Sequence, residues 1–280
     1  MALTFDEIGY WSEIKHEIIE KYALAYSTIF SSPKYSYFHH VYIDAFAGSG
    51  THISKTTKGQ VRGSPHIALD INPPFKEYYF IDTNGDKVNE LRRIVTSYPK
   101  AKVHILQEDC NTALLTDVFP HITGKYDRGL CLLDPYGLNL KWDVMETAGK
   151  MGTVEIFLNF PVMDMRRNVL LGNPKEATPL NIKRMDRFWG NHSWSDIAYV
   201  QIQDLFGDIV EFKQKNIKLL TEAFRERLWQ AAHFKYVPQP IPMRNTRSSI
   251  LYFLFFASNN QTGNKILSEI LDKYRDRGMR

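Results

Sequence analysis

The sequence predicts an α/β fold built on a doubly wound, mostly parallel sheet. Three observations predict it. Five short apolar runs alternate with segments of helical spacing, the pattern of parallel strands joined by right-handed crossovers. Four of those runs in succession close on a carboxylate, at Asp44, Asp82, Asp109 and Asp134. The first opens into a small-residue loop, Ala45-Phe46-Ala47-Gly48-Ser49-Gly50-Thr51. Such a loop, at the carboxyl end of a strand, lets backbone approach a ligand closely.

Each element follows from local pattern. Residues Asp6 to Phe30 set Ile8, Trp11, Ile14, Ile18, Tyr22, Ala25 and Ile29 at steps of three and four, one face of one or two helices docked on the core. Val41 to Phe46 is the first strand. His52 to Gly63, with Lys55, Lys58 and Arg62, reads as a mobile basic loop. Ser64 is placed to cap a short helix with Pro65 at its first position. Glu77 to Asp82 is the second strand, and Asn84-Gly85-Asp86 opens a helix that turns Val88, Leu91, Ile94 and Val95 inward. Lys102 to Leu106 is the third strand, followed by a helix through Leu114, Leu115 and Val118. Gly129 to Leu133 is the fourth, with a helix near Trp142 to Ala148 leading to the fifth, Thr153 to Leu158.

After Pro161 the pattern changes. A polar stretch carries Arg166, Arg167, Lys175, Lys183, Arg184 and Arg187 and ends near Trp189 and Trp194. A helix from about Asn216 to Ala232 returns to the core. Phe234 to Val237 and Ile250 to Ala257 read as two late strands joined by a proline-rich connection, 238–247. A last helix, Lys265 to Tyr274, precedes a charged tail expected to fray. The expected division is an N-terminal helical extension (1–35), an α/β domain (36–161 and 216–280) and an inserted region (162–215).

Composition narrows the function. The chain has 280 residues, 44% of them hydrophobic and 13% aromatic, which suits one large globular unit with elaborations. Its 35 basic and 31 acidic residues leave a net charge of +4, which permits an anionic partner without demanding one. Two cysteines, Cys110 and Cys131, cannot form a disulfide framework, so a reducing cytoplasm is expected. The first residues lack a signal pattern, and the run Ile250 to Ala257 is too short to span a bilayer. No cluster of metal-ligand spacing is visible, and His39-His40 reads as surface. Ser49 has no recognisable histidine partner, so hydrolase chemistry is not expected.

Roles for the carboxylates follow from their chemistry. Asp82 is placed to accept both hydroxyls of a ribose, as the acid after the second strand does in nucleotide-binding sheets. Asp109 could accept from the exocyclic amine of adenine, with Cys110 or Asn111 beside it. Asp44 can hold the loop or meet a cationic amino-acid group. Phe46, Gly48 and Gly50 bring the loop to the cofactor. Asp134, Pro135 and Tyr136 lie one strand further along, where the second reactant belongs. The third glycine of the dinucleotide fingerprint is missing, and Gly50 to Asp82 exceeds its ~20-residue spacing, which speaks against a nicotinamide cofactor.

These residues resemble the S-adenosylmethionine-dependent methyltransferases of class I, a Rossmann-like fold. Asp44 to Thr51 looks like their cofactor loop. Asp134-Pro135-Tyr136-Gly137 looks like the Asp-Pro-Pro-Tyr signature of amine-nitrogen methyltransferases acting on nucleic acid, with one proline where the signature has two. More closely, the chain is similar to the three-Cys-motif partner protein family, TcmP. The residues that carry this are the cofactor loop, Gly63-Ser64-Pro65, Leu133 to Gly137, Met185-Asp186-Arg187-Phe188-Trp189-Gly190 and Leu251 to Asn259. The resemblance implies S-adenosyl-L-methionine as cofactor and a partner with a three-cysteine motif, of radical-enzyme type. The function expected is methylation of a nitrogen on a nucleobase of DNA or RNA, or on a similar planar group. Asp134 and the Pro135 carbonyl would take the amine protons, Tyr136 and Phe160 would sandwich the base, and the basic stretch would hold phosphates. The rival expectation is a partner protein that binds cofactor or nucleotide without catalysis.

Overall fold

The computed structural model describes residues 6–203, 209–213, 216–245 and 249–275. β1 (Glu7–Ile8) leads into α1 (Tyr10–Ser31), a single helix that buries Trp11, Ile14, Ile18, Tyr22, Tyr26 and Phe30. Then come β2 (His39–Asp44), β3 (Thr51–Ser54), β4 (Gln60–Arg62), α2 (Ser64–Asp70), β5 (Glu77–Ile81), α3 (Gly85–Val95) and β6 (Val103–Leu106). α4 (Cys110–Thr112) runs on through a π-helical turn, Ala113–Val118. β7 (Asp127–Leu133), α5 (Trp142–Met151) and β8 (Val154–Phe160) complete the parallel part. The region after Pro161 holds α6 (Val162–Asn168), α7 (Pro179–Trp189), α8 (Trp194–Ala198) and the hairpin β9 (Tyr199–Gln203) and β10 (Ile209–Lys213). α9 (Ile217–Gln230), β11 (Ile241–Arg244), β12 (Ile250–Ala257) and α10 (Gln261–Arg275) follow.

The main sheet has the order β11-β12-β8-β7-β2-β5-β6. β8, β7, β2, β5 and β6 are parallel, while β12 runs antiparallel to β8 and β11 antiparallel to β12. This is the doubly wound, mostly parallel sheet that the alternating pattern predicts. Period-two alternation sends neighbouring residues to opposite faces. Val41, Ile43, Cys131, Leu133, Ile156 and Leu158 face the layer that contains α5, α7 and α9. Tyr42, Tyr78, Phe80, Leu130, Leu132 and Phe157 face α1, α2 and α10. Trp189 and Trp194 are buried in the first of these layers. No helix among the described residues is long and apolar enough to cross a membrane.

Several expectations need correction. The segment read as a mobile basic loop is the hairpin β3–β4, whose first strand pairs in parallel with β1. Its signal is hidden because the strands are short and half-exposed, so they lack apolar alternation. The cap of α2 is Gly63, and Ser64 is already helical. The late edge strand is not Phe234 to Val237, where only a bridge between Tyr236 and Ser258 forms. It is β11, inside the proline-rich connection. Pro242 is tolerated there because β11 borders the sheet, where a missing N–H costs least. His40 is buried and bonded to Ser27 rather than on the surface. Thr246, Arg247 and the tail 276–280 lie outside the described residues.

Gly149 shows how tightly the layers close. A Cβ there would sit 1.7 Å from the Ala232 carbonyl oxygen. Gly→Ala inside a helix ordinarily gains up to about 1 kcal/mol. Here Gly149→Ala is expected to lower stability by about 1–3 kcal/mol through overpacking. An unchanged or raised midpoint of urea denaturation would contradict this packing.

Candidate active site

The parallel strands end together, and their register sets the depth of each carboxylate. Asp44 is the last residue of β2 and pairs beside Phe80 and Leu132, inside the sheet. Asp82 and Asp134 each follow the last residue of their strand, and Asp109 lies three residues past β6. The four acids therefore share one end of the sheet but not one depth. Asp44 is fully buried and accepts from the Phe46 amide at 3.2 Å. Burial pushes its carboxyl up to about 7. Asp82 accepts from the Gly48 amide at 3.0 Å and the Asn84 amide at 2.8 Å, so it ties the glycine loop to the entrance of α3.

The two glycines do different work. Gly48, at φ +63°, presents its backbone to a cavity. Gly50, at φ +75°, packs away from it, for an added Cβ would lie 2.6 Å from Ile94 Cδ1. Its carbonyl accepts from the Gly63 amide at 2.8 Å. Gly50 shapes the loop from behind.

Two cavities meet at this end of the sheet. The first, of about 390 Å³, gathers Phe46, Asp82, Asp109, Cys110 and Tyr136, with Arg184 and Arg187 of α7 opposite. Asp109 is exposed and caps α4, accepting from the amides of Asn111 and Thr112. Cys110 is buried, and burial with the nearby Asp109 pushes its thiol up to about 12, so it stays a neutral thiol. The second cavity, of about 650 Å³, gathers Gly48, Asp134, Pro135 and Tyr136 with Lys15, His16, His52 and Asn159. Phe46 and Tyr136 line both. Asp44 and Gly50 line neither.

Asp134 arrives already engaged. Lys15 of α1, 119 residues away, forms an ion pair with its Oδ2, and the Asn159 side-chain amide donates to its Oδ1. Burial works against both charges, but each is outweighed by the other: Lys15 is held above the ordinary lysine value and Asp134 below the ordinary carboxylate value. Burial, reinforced by Lys15, pulls His16 down to about 3 and lowers His52 as well, so both rings are neutral. The two imidazoles stack at 5.8 Å. His16 Nδ1, His52 Nδ1 and Asn159 Oδ1 are buried with no hydrogen-bond partner among the described residues.

Sequence reasoning missed Lys15, His16, His52 and Asn159. A signal for the first existed. Lys15 lies four residues after Trp11 and three before Ile18, on the apolar stripe itself, where a lysine needs a buried partner. Asn159 falls just past the expected end of the fifth strand at Leu158, whereas β8 continues to Phe160. Phe160 is fully buried against Phe188, Phe224 and Phe255, so it cannot sandwich a substrate.

The Asp-Pro-Tyr-Gly turn is held from below. Gly137 has φ +63°, and its missing side chain admits Asp164, whose carboxylate accepts from the Leu138 amide at 3.1 Å and pairs with Arg184 at 3.3 Å. Tyr136 is 60% exposed. Its hydroxyl meets Lys87 at 3.1 Å, and Lys87 pairs with Asp6 at 2.7 Å, so the N-terminal segment straps the second cavity. Of the basic stretch, Arg167 lines the second cavity and Arg184 and Arg187 the first. Ser49 is buried and donates to the Thr51 carbonyl. Among the described residues no group of three His, Cys, Asp or Glu is placed to hold a metal.

The titration of Asp44 has a testable sign. Its folded value, about 7, lies above the ordinary aspartate value of 3.8. The carboxyl therefore costs nothing while protonated in both states and costs progressively more as pH rises toward its folded value. Asp44→Asn removes that cost. Its stability gain over the parent chain is expected to grow by about 2–3 kcal/mol between pH 5 and pH 8. Urea denaturation at the two pH values checks this, and a constant difference would contradict the buried carboxyl.

No family model and no curated protein matches this chain. Among solved structures, protein LPL1258 from Legionella pneumophila, of family-model DUF519, superposes with a TM-score of 0.57 at 14% identity, covering 96% of this chain and 94% of that one. The N-terminal domain of EvdMO1 with SAH bound gives 0.40 at 9% identity, covering 84% of this chain and 80% of that one. TYW2 of M. jannaschii in complex with AdoMet gives 0.35 at 11% identity, covering 92% and 77%. Identities this low speak only to architecture: the chain shares with LPL1258 an α/β fold, here built on a doubly wound, mostly parallel seven-stranded sheet.

Proposed function

We propose that this chain binds S-adenosyl-L-methionine in the first cavity and methylates an amine nitrogen of a nucleobase-like group in the second. One observation carries the reading. Two cavities at the carboxyl ends of the strands share the walls Phe46 and Tyr136, one lined by carboxylate acceptors and the other by buried polar atoms without partners. S-adenosylmethionine, when bound, supplies a methyl group on a positively charged sulfur. In the first cavity, the Asp82 oxygens keep lone pairs beyond their two backbone bonds and are suited to ribose hydroxyls. Asp109, at the exposed end of α4, is suited to an exocyclic amine.

The second cavity is suited to a neutral planar acceptor. Both histidines are uncharged, and Lys15 cancels Asp134. Asp134, the Pro135 carbonyl and Asn159 Oδ1 would take the N–H groups of an amine and aim its lone pair. Transfer would join that nitrogen to the methyl carbon as the carbon–sulfur bond breaks, leaving a neutral thioether, and the nitrogen's proton would pass to water. Asp134 is too acidic to hold that proton, and His16 is too weak a base. The residues thus act by alignment rather than by proton transfer. Tyr136 offers an exposed ring for stacking, and Arg167 lies where a nucleic-acid phosphate would run. The likeness to the TcmP family, with a three-cysteine-motif partner, rests on its motif residues alone.

Calorimetric titration with S-adenosylmethionine, S-adenosylhomocysteine and NAD tests the first cavity. Asp82→Ala is expected to weaken S-adenosylmethionine binding by roughly 1–3 kcal/mol. Transfer of labelled methyl to total RNA and DNA tests the second. Asp134→Asn is expected to lower transfer roughly 100-fold through misaligned substrate, with cofactor affinity unchanged. Binding of NAD in preference, or full transfer by Asp134→Asn, would sink the assignment. Cofactor binding without transfer to any acceptor would instead point to the non-catalytic rival.

A further inference from the structure

A third cavity, of about 480 Å³, opens at the other end of the sheet, beside the first residues of β7 and β8. Thr153 to Asn159 spans six residues of extended chain, which puts this cavity roughly 20 Å from the proposed active site. Its walls are aromatic, with Tyr22, Tyr26, Phe30, Phe38 and Tyr236. Glu155 is the second residue of β8 and Thr153 is the residue just before that strand, and both line the cavity. Tyr22 and Tyr26, one turn apart on α1, lie across from them.

The polar groups are deeply buried and incompletely matched. Glu155 is 5% exposed and Tyr26 4%. The Tyr22 hydroxyl donates to Glu155 Oε2. The Tyr26 hydroxyl and Thr153 Oγ1 have no hydrogen-bond partner among the described residues. Two cations line the cavity, and neither is ion-paired with Glu155 among the described residues: the Arg128 guanidinium lies over the Phe38 ring at 4.3 Å and donates to the Lys125 and Asp127 carbonyls, and Lys235 is exposed. The first turn of α10 closes the remaining side, because Gly263 leaves room where a Cβ would stand 2.5 Å from the Tyr22 hydroxyl and 3.0 Å from Glu155 Oε1.

We propose that this cavity is a binding site for a small primary amine carried on an aromatic stem. An ammonium group has three N–H donors and no acceptor. Glu155, Tyr26 Oη and Thr153 Oγ1 supply three acceptors, one of them anionic. A buried carboxylate without a counter-ion is costly, and a bound ammonium relieves that cost. The aromatic walls favour both the cation and the stem. Burial pushes Glu155 up to about 7, within easy reach of ionisation by an incoming cation. The site is independent of the methyl-transfer reading.

The test is calorimetry on the full chain with 2-phenylethylamine, 2-phenylethanol and phenylacetate, which share a stem and differ in the head group. The amine is expected to bind saturably and at least tenfold more tightly than the alcohol or the acid. Glu155→Gln should weaken the amine at least tenfold. Tyr26→Phe deletes a hydroxyl with no partner, so it should leave the thermal midpoint in place while weakening the amine several-fold. If Glu155→Gln does not fold, Tyr26→Phe alone decides. Absence of saturable amine binding, equal binding of the alcohol, tighter binding of the acid at the Arg128 side, or indifference to Tyr26→Phe would each overturn the proposal.

Discussion

The ion pair between Lys15 and Asp134 is the constraint on which the candidate active site depends. Taking two charges out of water costs several kcal/mol per ion, and their attraction repays this only when further hydrogen bonds complete the geometry. Asn159 provides one such bond, and the Lys15 ammonium also lies 5.8 Å from the centre of the Tyr252 ring. The pair joins three elements that are remote in sequence: α1, the end of β7 and the end of β8. It also adds to the electrostatics of its surroundings. Burial, reinforced by the Lys15 cation, keeps the His16 and His52 imidazoles neutral, so the inner wall of the cavity offers hydrogen-bonding groups with the Lys15 and Asp134 charges cancelled.

Much of the architecture was legible because its causes are local. Apolar runs of strand length, an acid at each strand end and the helical stripe of α1 needed no tertiary knowledge. The Asn84 cap of α3 and the glycine loop were visible for the same reason. What escaped was set by register and by partners distant in the chain. Asp44 and Asp82 look alike in sequence, yet Asp44 pairs with Phe80, two residues short of Asp82, and this register buries the first inside the sheet and leaves the second at its end. Gly48 and Gly50 look alike too, and only the position of Ile94 separates a cavity-facing glycine from a packing one. β11 was hidden by Pro242 and the two prolines just before the strand, Pro238 and Pro240, whose usual message of a loop is overruled on a border strand.

The helix α1 deserves to be seen as part of two sites. Lys15 and His16 face the second cavity at the strand ends, and Tyr22 and Tyr26 face the third. Six to eleven residues of helix separate them, roughly 9–16 Å along one rod. The helix is anchored along its length by the ring contacts of Tyr22 with Phe157 and Phe256 and of Tyr26 with Phe75. A domain of this fold ordinarily gathers its ligands at the strand ends, and function resides in sites carried by the fold rather than in the fold itself. The unmatched polar atoms behind the sheet belong to this chain's own residues.

The borders of the sheet carry a consequence for how copies of the chain meet. A bare strand edge is a template on which a second molecule can add a strand. One border here, β11, is four residues long and contains Pro242, which has no N–H to offer a newcomer. The other, β6, is also only four residues long. Neither margin gives an extended ladder to zip against, so self-recognition through continuous intermolecular sheets is discouraged, and crowding should be tolerated without fibrous polymerisation.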